Sequence, residues 1–397
     1  MRAVTLVRIE EPAKPPRLSG RAFLALGFRP FYLLAAAWSA LAILAWVLML
    51  SGRLPAPAAH SGIEWHAHEM VFGFALAVVA GFLLTAVRAW TGIPTPTGAA
   101  LALLAAIWIA GRVSVWIGSP LVATVVDGAF PFALAFAIGR VLVIAGNRRN
   151  YFVIAMLCAM GALNLAFHFG AGLAAVKAAL YLVLVLVAVM GGRVIPSFTQ
   201  NALPRVQVVR RPWLDKASIG LALAAFAADA LSLPGLVVAP LAGAAALAHA
   251  ARLADWKPLA TLRTPILWIL HLSYAWMPLG FALLSASALG FIAPGAATHA
   301  FAAGAMGGVI LGMITRVALG HTGRPLRAAR LIQIAYLLLN VSALFRSFGP
   351  LDDSRIALAY TGSGLLWIAA FGLFVWHYAP ILVQPRADQP GGVGKRS

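Results

Sequence analysis

Stretches of about 17 to 24 predominantly apolar residues recur from one end of this chain to the other, each long enough at 1.5 Å per residue to cross a hydrocarbon layer roughly 30 Å thick as a helix. The expected spans are Phe31–Ser51, Glu69–Trp90, Thr97–Ile117, Leu121–Ile138, Tyr151–Gly170, Ala174–Met190, Ala217–Leu233, Gly235–Ala251, Pro265–Ala288, Ala297–Thr315, Arg330–Leu344 and Ile356–Trp376. The seventh and eighth are divided only by Leu233-Pro234-Gly235. With 62% hydrophobic and 10% charged residues, the chain lies far outside the composition of soluble domains. The expected fold class is all-α: a polytopic integral membrane helical bundle of about 12 transmembrane helices. It is read as a single membrane domain over residues 1–397, with a cytoplasmic segment 1–30, the bundle over 31–377 and a cytoplasmic tail 378–397.

Charge distribution orients the bundle, because Lys and Arg accumulate on cytoplasmic loops. With twelve spans and both termini inside, 25 of the 30 basic residues fall on the cytoplasmic side and five, Arg53, Arg112, Lys177, Arg346 and Arg355, fall outside. The net charge of +19 therefore reflects membrane topology, and nucleic acid is not an expected partner. The first span is too long for a typical signal-peptide core and is expected to remain as an anchor. Cys158 is the only cysteine and sits inside a span, which excludes disulfides and covalent haem attachment through C-x-x-C-H.

Two of the spans share a spacing, His-x4-Gly-x7-Gly-x9-Thr-Gly. It reads His68, Gly73, Gly81, Thr91, Gly92 in the second and His299, Gly304, Gly312, Thr322, Gly323 in the tenth. The glycines alone read equally well as small-residue helix packing. The histidines carry more: imidazoles at one level of two related helices are disposed to grip a flat cofactor, and His68 and His299 are the expected axial ligands of a non-covalent haem b. Ala302 and Ala303 beside His299 leave room for a porphyrin edge, while Met306 could pack on it or ligate weakly; the small residues serve close helix contact equally well.

In Trp65-His66-Ala67-His68-Glu69-Met70 the two imidazoles, two residues apart on a helix, point about 200° from each other. One is expected to face His299 and the other a second site. Glu69 is a candidate for orienting an imidazole or carrying a proton, and Arg112 for holding a haem propionate; a helix N-terminal acid and a snorkelling arginine are the plainer readings. On the cytoplasmic side His271 lies within a span and His321 in Gly320-His321-Thr322-Gly323-Arg324-Pro325, where together they could ligate copper. The metal candidates are thus His66, His68, His271, His299 and His321. His60, His168, His249 and His377 lack a supporting motif and read as interfacial or packing residues, while Asp127 and Asp229 could move protons or bind cations.

The sequence resembles the NnrS family across most of its length. The resemblance is carried by Arg29-Pro30-Phe31-Tyr32-Leu33-Leu34, the Trp65–Met70 segment with Gly73, Gly81-Phe82-Leu83-Leu84-Thr85-Ala86, Trp90-Thr91-Gly92, Gly192-Arg193-Val194-Ile195-Pro196-Ser197-Phe198-Thr199 with Asn201, the His271 and His299 segments, and Thr315-Arg316 with the Gly320–Leu326 loop. It implies a multi-pass protein of the bacterial inner membrane, containing haem and copper and associated with nitric oxide and nitrosative stress. A more distant likeness concerns layout: the catalytic subunits of haem–copper oxidases also have twelve spans and haem ligands near the outer ends of spans two and ten. Spans six and seven here lack the histidines that hold the oxidase copper.

The resulting expectation is a haem- and copper-binding protein of the lipid bilayer that meets nitric oxide or a related small ligand. The alternatives are a twelve-helix secondary transporter and a redox enzyme drawing electrons from quinol or a periplasmic donor, with Trp65, Trp90 and Trp268 as candidate lining of an electron route. Whether the protein is a catalyst is left open by the sequence.

Overall fold

The computed structural model describes residues 22–352, 354 and 356–388. Most of the two basic terminal segments, and Arg355, lie outside the described residues. Within them the chain is helical throughout, with no strand. Its long helices are α1 (Phe28–Leu50), α2 (Gly62–Thr91), α3 (Gly98–Ile117), α4 (Pro120–Ile144), α5 (Phe152–Ala166), α6 (Gly172–Ala202), α7 (Pro212–Ala230), α8 (Gly235–Asp255), α9 (Pro265–Ala288), α10 (Pro294–His321), α11 (Arg330–Phe348) and α12 (Ile356–Val383).

Ten stretches of helix are long and apolar enough to cross a membrane, against the twelve expected. The difference has two sources. One stretch, Arg148–Ala202, contains both α5 and α6, joined through a wide π-helical turn at Phe167–Ala171. There Gly170 adopts φ +100° and Gly172 φ +51°, backbone that favours glycine and breaks the helical path. The other source is α7, which carries Asp215, Lys216 and Asp229 and is not among the ten.

Small residues let these helices approach closely, as expected where lipid removes the hydrophobic drive for association. The glycines of the repeated spacing show how. A methyl group on Gly73 of α2 would run into the Trp38 indole of α1, and one on Gly304 of α10 would run into the Trp276 indole of α9. One helical level further on, Gly81 meets Tyr32 of α1 and Gly312 meets Leu270 of α9. Trp38 lies six residues after Tyr32, and Trp276 six after Leu270. The repeat is therefore a pair of helices, α1 with α2 and α9 with α10, docked indole into glycine in the same register.

Both repeat helices also widen at the same place. His68 is followed by a π-helical segment, Glu69–Ala75, and His299 by another, Ala300–Gly307. An extra residue in a turn rotates the side chains on either side of it, and such turns collect at functional sites. Upstream, Ser61 and Glu64 form a reciprocal capping box that fixes the start of α2 just before its histidines.

Candidate functional site

His66 and His299 fall in one site and His68 and His168 in another. Their separation begins with His66 and His68, which leave α2 on opposite sides.

His66 and His299 line one apolar cavity of about 440 Å³, together with Ala67, Ala302, Ala303, Met306 and Gly364. A volume in the range of roughly 300 to 1,000 Å³ suits a small-molecule or cofactor site. The histidine sharing this cavity with His299 is thus His66, in place of the expected His68. The His66 ring stacks on Trp46 at 4.8 Å between centroids, and its Nδ1 is buried with no hydrogen-bond partner. Nδ1 of His299 lies 2.7 Å from the carbonyl oxygen of Gly295 one turn earlier. A carbonyl can only accept, so in the neutral ring Nδ1 carries the hydrogen and Nε2 keeps the lone pair.

Two of the five basic residues expected on the outer side, Arg346 and Lys177, also reach this cavity. The Arg346 guanidinium lies over the Tyr360 ring, 3.8 Å from its centroid, and among the described residues no carboxylate pairs with it. Lys177 pairs with Asp229 at 2.9 Å, and Tyr181 donates a 2.5 Å hydrogen bond to the same carboxylate. The arrangement is an apolar slot lined by two imidazoles and by one guanidinium that has no carboxylate partner among the described residues, chemistry that suits a flat, metal-bearing ligand with an acidic substituent.

His68 belongs to the second site. It is fully buried, with Nδ1 3.0 Å from Glu69 Oε1 and Nε2 3.0 Å from Asp127 Oδ2 and 3.1 Å from Asn164 Oδ1. Both ring nitrogens are thus already engaged by oxygens. His168 approaches Asp127 Oδ2 at 3.1 Å through its own Nε2. Arg112 joins the two carboxylates: one of its amino groups donates to Glu69 Oε2 at 2.7 Å and the other to Asp127 Oδ1. Trp38 donates to Glu69 Oε2 as well, at 2.7 Å.

Glu69 thus contacts the His68 imidazole, whereas Arg112 sits in this ion-pair cluster and is absent from the lining of the His299 cavity. Sequence reasoning missed His168 as a site residue and had no reason to select Asn164. The available signal was local: Phe167-His168-Phe169-Gly170-Ala171-Gly172 places a histidine between two apolar residues at a double-glycine break.

The expected copper pair, His271 and His321, has no comparable focus. His271 contacts the Leu267 carbonyl at 3.1 Å and Thr199 Oγ1 at 3.3 Å, while His321 packs against Phe28. No hydrogen bond or ring contact joins the two among the described residues. His249, read from sequence as a packing residue, is fully buried between the Tyr274 hydroxyl at 2.7 Å and the Ser218 carbonyl at 3.1 Å. The tryptophans considered for an electron route disperse: Trp65 packs on Trp116, Trp90 on Phe82 and Trp268 on Tyr336.

A family model, described as NnrS protein, matches residues 22–386, nearly the entire chain. The chain belongs to the NnrS family. Membership supports a membrane protein connected with the nitric oxide response, in keeping with its many apolar helices. The matched residues include both pairs of the indole–glycine repeat and all the site histidines described above. No curated protein matches the chain.

Proposed function

We propose that this NnrS protein binds a b-type haem in the cavity between α2 and α10, with His66 and His299 as axial ligands, and serves the response to nitric oxide in the bacterial inner membrane. The observation carrying the proposal is that these two imidazoles share one apolar cavity while retaining a nitrogen apiece for metal: Nδ1 of His66 is buried without a partner, and the Gly295 carbonyl leaves Nε2 of His299 its lone pair. Small residues at Ala302, Ala303 and Gly364 leave space for a porphyrin, and Arg346, which no carboxylate pairs with among the described residues, supplies charge opposite to that of a propionate. When bound, the haem would supply redox chemistry and an iron with affinity for nitric oxide, with His66 and His299 as the residues that would hold it.

The full topology belongs to the same proposal. Counting α5 and α6 as separate crossings and including α7 gives twelve passes, with both termini cytoplasmic as the basic residues require. Copper is the second cofactor of the proposal.

The test is purification in mild detergent, followed by oxidised and dithionite-reduced spectra, a pyridine haemochrome and metal analysis, before and after anaerobic nitric oxide. A b-type spectrum that shifts with nitric oxide supports the reading. Protein that carries no haem, and transports a substrate in proteoliposomes, would replace it with the transporter alternative.

A further inference from the structure

We propose that His68, His168 and Asp127 form a mononuclear site for a divalent first-row transition ion, with Asn164 as an adjoining oxygen donor. This locates the second metal of the proposed function and does not depend on the haem.

The geometry is that of a ligand set. Nε2 of His68, Nε2 of His168 and a carboxylate oxygen of Asp127 all lie within 4.8 Å of one another. The two nitrogens stand 3.0 and 3.1 Å from Asp127 Oδ2, and Asn164 Oδ1 lies 3.1 Å from His68 Nε2. Bonds of about 2.0 Å to a tetrahedral ion separate neighbouring ligand atoms by roughly 3.3 Å, close to these nitrogen–oxygen separations. Two imidazole nitrogens with oxygen donors suit copper(II) or zinc, and disfavour magnesium and calcium.

The surrounding contacts follow the same pattern. Glu69 holds the far nitrogen of His68, as a carboxylate commonly does behind a metal-binding histidine. Glu69 is itself fixed by Trp38 and Arg112, and Arg112 holds the Asp127 oxygen that faces away from the histidines. Glu69, Asp127 and Arg112 are almost fully buried, so the network that positions the two histidines is shielded from solvent. A further imidazole, that of His60, lies near the cluster, its ring 5.7 Å from that of His168 and 4.7 Å from that of Phe167.

The probe is copper(II), titrated into chelator-treated full-length protein in detergent and followed by electron paramagnetic resonance. Wild type is expected to bind one ion tightly, with couplings from imidazole nitrogen. His168→Ala and Asp127→Asn should each weaken copper binding about 100-fold or more while haem content and monodisperse elution persist. Glu69→Gln, which perturbs a positioning residue, should weaken it roughly 10- to 100-fold and alter the copper spectrum. His168→Ala leaves Arg112 paired with both carboxylates, so it remains informative should Asp127→Asn fail to fold. Absence of saturable copper in wild type, or equal binding in wild type and folded His168→Ala, would reduce the cluster to an ion-pair network and overturn the proposal. Loss of haem from wild type with copper binding intact would instead count against the haem reading alone.

Discussion

His66 of α2 and His299 of α10 line the same apolar cavity, although the position that matches His299 in the repeated sequence is His68. Two residues along a helix separate the faces on which His66 and His68 emerge. One helix therefore serves two sites, the cavity through His66 and the buried ion-pair cluster through His68.

Arg346 is expected to anchor acidic substituents of the cavity's ligand. It faces the cavity, stacks on Tyr360 and has no carboxylate partner among the described residues. Arg346→Gln should lower haem retention about tenfold against a haem-scavenging protein, within the range of one charge-assisted hydrogen bond. The iron ligands are untouched, so the haem absorption bands should stay in place. Free-acid haem and its dimethyl ester should be retained equally by the variant and unequally by wild type. Persistence of the wild-type preference in Arg346→Gln would remove this role.

Arg112 should matter far more to stability than an exposed arginine with a similar partner. Arg112→Gln strands Glu69 and Asp127, both almost fully buried, and breaking such a pairing from one side costs about 3–5 kcal/mol. Arg211, which is half exposed, pairs with Asp255 at 2.9 Å and should contribute roughly 0–1 kcal/mol. Thermal unfolding in detergent, read by tryptophan fluorescence, should show a marked fall for Arg112→Gln and almost none for Arg211→Gln.

The indole–glycine contacts should be intolerant of one added methyl group. Gly73→Ala and Gly304→Ala each push a side chain into an indole that is itself hydrogen-bonded, Trp38 to Glu69 and Trp276 to Asn340. Overpacking of this kind costs about 1–3 kcal/mol. Gly220→Ala on α7, where an added methyl meets nothing within 4 Å, is the matched control in the same unfolding measurement.

Much of this architecture was legible before any coordinates. Apolar run length marked out the helices, and the spacing of His68 and His299 located two helices that share a packing register and a π-helical turn. What spacing could not supply was orientation. A repeat aligns positions along two helices but does not say which side of each the bundle turns inward, and so the histidine that shares the cavity with His299 is His66 and not the His68 of the repeat. The cluster around His68 was less legible for a different reason: Arg112, Asp127, Asn164 and His168 come from α3, α4, α5 and the turn after it, and only packing brings them together. The span count was blurred where polar and glycine residues interrupt apolar ones, at Asp215, Lys216 and Asp229 in α7 and at Gly170 and Gly172 before α6.

The most direct test of the cavity's assignment is the reduced-minus-oxidised spectrum and haem content of His66→Ala, His299→Ala and His68→Ala, purified side by side with wild type. The account predicts a b-type haem in wild type, loss of most haem or of six-coordination in His66→Ala and His299→Ala, and retained bands in folded His68→Ala. Full haem with unchanged bands in either of the first two variants would contradict it.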